Sequence, residues 1–234
     1  MWIVLAALFM LLISDTALWK SVLTFFFPQQ SQVVYPSASL LLLFAEHLEL
    51  VGISSLLTVI IGIPLGIWVT RSSGRDFLSI VSSVTAFGQT FPPVAVLALA
   101  VPALGFGLLP TIVALFLYGL LPVVRNTIAG IQSVSPDILD ASYGMGLSRF
   151  QTLTRVEMPL AAPVILAGVR ISVIINVGTA MIGATIGAGG LGAPVIAGLV
   201  QNNVALVLEG AIPAALLAIL LDQLFSKFET SYVK

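Results

Sequence analysis

From Phe77 to Val124 the chain runs 48 residues without one Asp, Glu, Lys or Arg. A helix needs about 20 mainly apolar residues to cross roughly 30 Å of hydrocarbon at 1.5 Å per residue. The run therefore predicts two crossings, joined by a tight turn around Ala103 to Pro110, where Gly105, Gly107 and Pro110 cluster. Leu50 to Val69, between Glu49 and Arg71, fits one crossing. Ile171 to Leu208 is uncharged but too long for one span. It reads as the end of a helix from about Val164 to Ile186, then a Gly-rich loop to about Asn203 and a last span from about Val204 to Phe225. Met1 to Ser14 is apolar but short and is followed by Asp15. The basic n-region and small-residue cleavage site of a signal peptide are not evident, so a short first span is expected rather than a processed or interfacial segment. Leu18 to His47, with Pro28, Gln29, Gln30, Gln32 and Pro36, is expected to be a non-spanning connector. The fold class is an all-α polytopic membrane protein of about six spans.

Composition agrees. Apolar residues are 59% of the 234, charged ones 8%, and the mean hydropathy is +1.13. A soluble domain carries about 25% charged residues, so this chain is built for a lipid bilayer. A net charge of −1 argues against a nucleic-acid binder, which needs a basic surface. With no cysteine and one histidine, disulfides, thiol catalysis and Cys- or His-rich metal sites are not expected.

The positive-inside rule sets the sidedness. Arg71 and Arg75 share one short loop, and Arg125, Arg149 and Arg155 flank or occupy another. Arg170 is near the start of the next helix, and Lys227 and Lys234 close the chain. Six spans with both termini in the cytoplasm put these eight inside and only Lys20 outside.

The most informative stretch is the polar interval Ser135 to Pro159, which holds five of the nineteen formal charges: Asp137, Asp140, Arg149, Arg155 and Glu157. Ser135-Pro136-Asp137 reads as a helix start, Ser135 capping and Pro136 first. Gly144 and Gly146 can break that helix. A second short helix, Ser148 to Met158, is expected to end before Pro159, with Phe150, Leu153 and Thr154 on one face. Such a helix suits a membrane surface or a partner's groove.

This interval resembles the EAA loop of binding-protein-dependent ABC importer permeases, whose pattern is E-A-A, three residues, G, nine residues, I-x-L-P. Asp140, Ala141 and Ser142 stand at its first three positions. Gly146 follows at the right gap, and Val156, Glu157, Met158 and Pro159 close it. Ala141, Gly146 and Pro159 match outright, while Asp140 is one methylene shorter than the usual glutamate. The resemblance implies a coupling loop spanning 135–160 (Asp140, Ala141, Ser142, Gly144, Gly146, Leu147, Phe150, Val156, Met158 and Pro159) that docks in a cleft of a cytoplasmic ATPase.

A second likeness is Ile186-Gly-Ala-Gly-Gly-Leu-Gly-Ala-Pro194, which resembles the Gly-rich signature of permeases importing glycine betaine, choline, carnitine and related osmoprotectants. Methionine importers carry comparable segments. Together the likenesses imply a type I ABC importer permease fold, a five-helix core with an N-terminal span added. They also imply residence in the bacterial cytoplasmic (inner) membrane, and a division into an N-terminal span and connector (1–47), a permease domain (48–225) and a cytoplasmic tail (226–234). The implied partners are two ATPase copies, an extracytoplasmic substrate-binding protein and a second permease, identical or related.

Other motifs carry less. Gly187, Gly189 and Gly192 spell GxGxxG, but a dinucleotide site needs a strand before the glycines inside a soluble βαβ unit. No GxxxxGK[ST] occurs, so the chain is expected to bind no cofactor and to be no enzyme, its partner using the ATP. Gly62-x-x-x-Gly66 and Gly183-x-x-x-Gly187 predict tight helix packing. Pro64, Pro92, Pro93, Pro102, Pro122 and Pro213 predict kinks.

Glu209 and Asp222 fall in the last span, Asp222 near its inner end. Glu209 faces either a cavity or a packing partner. Gln89 and Asn176 at depth suit helix–helix hydrogen bonds or, with Glu209, a translocation path. His47, between Glu46 and Glu49, reads as a solvated rim. The rival function is a secondary transporter or channel driven by an ion gradient, with Glu209 and Asp222 as carriers.

Overall fold

The computed structural model describes residues 2–232; Lys234, counted above on the cytoplasmic side, lies outside them. Among the described residues there are eleven α-helices and no strand. They are α1 (Trp2–Ser14), α2 (Thr16–Phe26), α3 (Leu40–Thr70), α4 (Leu78–Thr90), α5 (Pro93–Leu104), α6 (Leu108–Gln132), α7 (Pro136–Gly144), α8 (Arg149–Thr152), α9 (Met158–Gly183), α10 (Gly192–Gln201) and α11 (Val204–Tyr232).

Four continuous helical stretches are long and apolar enough to cross a membrane: Leu40–Thr70, Leu108–Gln132, Arg149–Ile186 and Val204–Glu229. Two bent pairs bring the total to six if each is one span. α1 and α2 bend by 80°, and the Arg75–Thr90 segment meets α5 at 97°. The bends have local causes. Asp15 caps α2 by accepting from the Leu18 N–H at 2.9 Å, and Pro92-Pro93 stops α4 and starts α5. The turn expected at Ala103 to Pro110 forms on Gly105 (φ 79°) and Gly107 (φ 95°), although Pro110 already lies in the first turn of α6.

Several expected boundaries are corrected. The crossing placed at Leu50–Val69 begins at Leu40, because Ser39 caps it by accepting from the Leu42 N–H. The connector read as Leu18–His47 thus contains most of α2 and the first two turns of α3. The short helix expected to stop before Pro159, and the span expected from Val164, are one continuous helix. A π-helical turn, Leu153–Glu157, joins them, Met158 N–H reaching back to Leu153 O. That wider turn gives the chain room to pass a proline that would interrupt a regular helix. The Gly-rich loop drawn to Asn203 is half helix, α10, and α11 runs past Phe225 through most of the expected tail. Pro64, Pro122 and Pro213 sit inside helices that continue through them.

The chain divides into two compact units, one of residues up to Ser54, 91–115 and 173–224, the other of 55–90, 116–172 and those from Phe225 on. In the first, α3 is tied to α9 by His47 Nε2 and Val177 O at 3.1 Å and by Asn176 Nδ2 donating to Ser54 Oγ at 3.3 Å. His47 is fully buried, which corrects its reading as a solvated rim. A Cβ on Gly183 would stand 2.6 Å from Thr111 Cγ2, so α6 and α9 meet there. Gly187, its motif partner, has open space around it and serves a turn with φ 79° instead.

In the second unit, α3 and α6 run parallel in contact: a Cβ on Gly62 would stand 2.9 Å from Val123 Cγ1, and one on Gly66 2.7 Å from Thr127 Cβ. The small-residue spacing places backbones close, as in lipid-embedded pairs. Ile131, Ala161 and Ile165 form a buried cluster with Ile63, Ile67, Leu153 and Met158 packed on it.

Candidate functional site: a capped helical corner on the second unit

The polar interval folds as two short helices meeting at a corner, and its own sequence closes both ends. Ser135 caps α7, accepting from the Asp137 N–H, with Pro136 in the first helical position. At the other end Leu147 N–H bonds Ser142 O at 3.1 Å and Gly146 N–H bonds Tyr143 O at 2.9 Å, the paired bonds of a Schellman terminus. Gly146 is its left-handed residue, with φ 83°. A side chain would find no steric neighbour there, so glycine is required by conformation rather than by space. Gly144 stays inside α7.

One residue later Ser148 starts the next helix with a capping box: Gln151 N–H bonds Ser148 Oγ, and Ser148 N–H bonds Gln151 Oε1 at 2.9 Å. Ser142 Oγ donates to Leu139 O at 2.7 Å and therefore accepts from Thr152 Oγ1 at 3.2 Å. That buried hydroxyl pair pins α7 to α8.

The corner is anchored below. Met158 and Leu153 pack on the Ile131–Ala161–Ile165 cluster. Glu157, 3% exposed, holds Arg71 just past the end of α3 in a two-point ion pair, with Nη1 2.9 Å from Oε1 and Nη2 2.6 Å from Oε2. Outward stand the apolar Tyr143, Met145 (74% exposed) and Phe150 (73%), among the exposed charges of Asp137, Asp140, Arg149 and Arg155. Beside them opens a cleft of about 970 Å³ lined by Thr70, Arg71, Ser72, Ser73, Tyr143, Leu147, Ser148, Arg149, Phe150 and Leu153.

The residues expected to couple thus divide. Asp140, Ala141, Gly144, Gly146, Phe150 and Pro159 are exposed, Leu147, Val156 and Met158 are half-buried, and Ser142 is buried. Ser142 and Met158 hold the corner together, the one through Thr152 and the other on the buried cluster. The sequence reading missed the Arg71–Glu157 clamp, the exposed Tyr143 and Met145, and Thr152. The clamp spans 86 positions and leaves no local signal, whereas an aromatic and a methionine beside a glycine corner are a visible one.

Of the three residues proposed for a translocation path, Gln89 belongs to the second unit and Asn176 and Glu209 to the first. Gln89 donates to Tyr118 O at 2.7 Å. That carbonyl is the one Pro122 cannot satisfy four residues on, so Gln89 replaces a missing helix bond. Asn176 lies buried on the α3–α9 contact. Glu209, 2% exposed, accepts from the Tyr35 N–H at 2.7 Å, fastening the connector to α11.

Comparison with known proteins agrees with this geometry. The sequence profile of the family described as "Binding-protein-dependent transport system inner membrane component" matches residues 62–232. The chain is 43% identical over 189 residues to the osmoprotectant import permease protein OsmY of Salmonella typhimurium, covering 81% of this chain and 80% of that one. It is 39% identical over 186 residues to the choline transport system permease protein OpuBB of Bacillus subtilis, covering 79% and 84%. The glycine betaine/carnitine/choline permease OpuCD of the same organism is 42% identical over 180 residues, covering 76% and 78%. In fold the chain is similar to a chain of the inward-facing MetNI methionine ABC transporter (TM-score 0.71, 22% identity), covering 81% of this chain and 94% of that one. With its spans, its capped loop and a profile match over most of its length, this chain belongs to the family of inner-membrane permease components of binding-protein-dependent ABC transport systems.

Proposed function

We propose that the chain carries a quaternary-ammonium osmoprotectant such as glycine betaine, choline or carnitine inward, driven by ATP that a separate subunit hydrolyses. The observation that carries the coupling role is the corner at Gly146: two short helices held at a set angle by their own caps, with Tyr143, Met145 and Phe150 presented outward. Exposed aromatic and methionine side chains on a rigid turn suit a partner's groove. The clamp from Glu157 to Arg71 carries a push on that tip into α3. In this reading two ATPase copies engage the loops of two permease copies, a binding protein delivers solute to the outer face, and the chain itself binds no nucleotide. Both termini and residues 135–160 lie in the cytoplasm. The substrate class is supported by relatives of 39–43% identity whose names concern these osmolytes; the likeness to the methionine transporter concerns fold alone.

The test is uptake of labelled glycine betaine, choline and carnitine into proteoliposomes holding the chain with its ATPase and binding protein. Uptake of at least one, abolished without ATP, is expected. Uphill transport by the chain alone on a proton or sodium gradient would overturn the reading. Sidedness is checked by Gln151→Cys, expected to label only from the cytoplasm, and Gln201→Cys, only from outside.

A further inference from the structure

Arg125 stands where a guanidinium is costly. It lies in α6, and the Gly62–Val123 and Gly66–Thr127 contacts put it level with Pro64 of α3. Arg71, at the end of α3, is seven residues further along, about 10 Å at 1.5 Å per residue. Between those levels α3 reads Leu65-Gly-Ile-Trp-Val69, so Arg125 sits at a depth where the neighbouring helix is still apolar. A charged group inside a span faces a partner charge or a polar cavity.

The carboxylates of its own unit do not serve it. Glu157 is engaged by Arg71 and Glu229 by Arg170, while Asp76, Asp137 and Asp140 lie outside α4 and α6. Arg125 is exposed and lines a pocket of about 360 Å³ between α4 and α6, with Ser82, Thr85, Ala86, Leu121, Val124 and Ile128. Small-molecule sites run from about 300 to 1,000 Å³. On α4 the small and polar Ser79, Ser82, Ser83, Ala86, Gln89 and Thr90 recur at helical spacing beside an exposed apolar face of Ile80, Val84 and Phe87.

We propose that this pocket is a station on the solute's route, where Arg125, with the Ser82 hydroxyl, holds the carboxylate of a zwitterionic quaternary-ammonium solute. A guanidinium meets a carboxylate through two parallel N–H donors, and the walls formed by Leu121, Val124 and Ile128 are apolar enough for methyl groups. The inference rests on the substrate class proposed above and adds a distinction within it. Betaine and carnitine carry the carboxylate, and choline does not.

The chain has no cysteine, which makes the test clean in the fully reconstituted importer. Ser82→Cys is expected to react with the anionic thiol reagent methanethiosulfonate ethylsulfonate, at least tenfold more slowly when Arg125→Gln is added, and more slowly in the presence of glycine betaine but not of choline. An unreactive Ser82→Cys, from a lipid-facing or copy-covered pocket, or a rate indifferent to Arg125 overturns the proposal. Arg125→Gln alone is expected to lower betaine uptake at least tenfold and choline uptake less than twofold, with binding-protein-stimulated ATP hydrolysis retained. Parallel losses, or no loss, overturn it. Where the wild type carries betaine but not choline, the labelling rates decide. A wild type that carries none of the three solutes overturns the substrate reading itself. One that carries betaine with Arg125→Gln unaffected overturns this proposal alone.

Discussion

Two of the glycine-punctuated segments between spans, at 135–160 and 187–203, are tied to the rest of the fold differently. The corner at 135–160 is closed by its neighbours: Ser135, Gly146 and Ser148 satisfy backbone groups no more than five residues away. The segment from Gly187 to Asn203 also turns on positive-φ glycines, Gly187, Gly189 and Gly190. Its outside ties come from residues far off in sequence. Glu46 Oε2 accepts from the Gly190 N–H at 2.8 Å across 144 positions, and Asn203 Nδ2 donates to Gln32 O at 2.6 Å across 171. A segment stiff by local bonds keeps its angle when its surroundings move. The segment at 187–203 closes its own turns locally too, Ala188 N–H on Gly183 O at 3.1 Å and Asn203 N–H on Gly198 O at 2.8 Å, and adds the distant ties to them.

Breaking the anchor of the first segment tests that contrast most harshly. Arg71→Ala leaves the Glu157 carboxylate buried without its partner, a loss of about 3–5 kcal/mol for a buried pair and toward the lower figure here because Arg71 is about one-third exposed. Thermal unfolding in detergent should show it, with Arg71→Ala/Glu157→Gln recovering part of the loss. Glu46→Ala removes a charge-assisted bond from the Gly-rich segment, about 1.5–3 kcal/mol. It should raise proteolysis or thiol labelling within 187–203 and leave 135–160 unchanged.

Gly146→Val forces a β-branched residue to a positive φ, about 1–2 kcal/mol. The chain should still insert, but uptake per ATP hydrolysed should fall at least tenfold; unaltered uptake would count heavily against the coupling role. Ser148→Ala deletes one cap, about 1 kcal/mol, with an expected drop in uptake of a fewfold and no change in protein level.

The same contrast explains what could be read in advance. The Ser135 cap, the glycine break and the Ser148 start were legible because each is a bargain among adjacent residues. The start of α3 was not. Glu46, His47 and Glu49 looked like the edge of a span, since charge ordinarily marks water. In the fold His47 is buried against Val177 O and Glu46 is bound by the Gly-rich segment, so polar groups sit inside the helix that the sequence alone placed at its rim. Pro159 misled for a related reason, because a π-helical turn carries the helix past it.

Composition and the length of the charge-free runs dictate a helical membrane protein, because backbone polar groups in lipid must be satisfied within the segment. Local residue order dictates the corner, because caps act within a few residues. Which carboxylate meets Arg71, which carbonyl Gln89 relieves and what covers Glu209 were decided only by tertiary packing. Those pairings join positions 29 to 174 residues apart, and nothing along the chain states that distant groups of opposite need will meet.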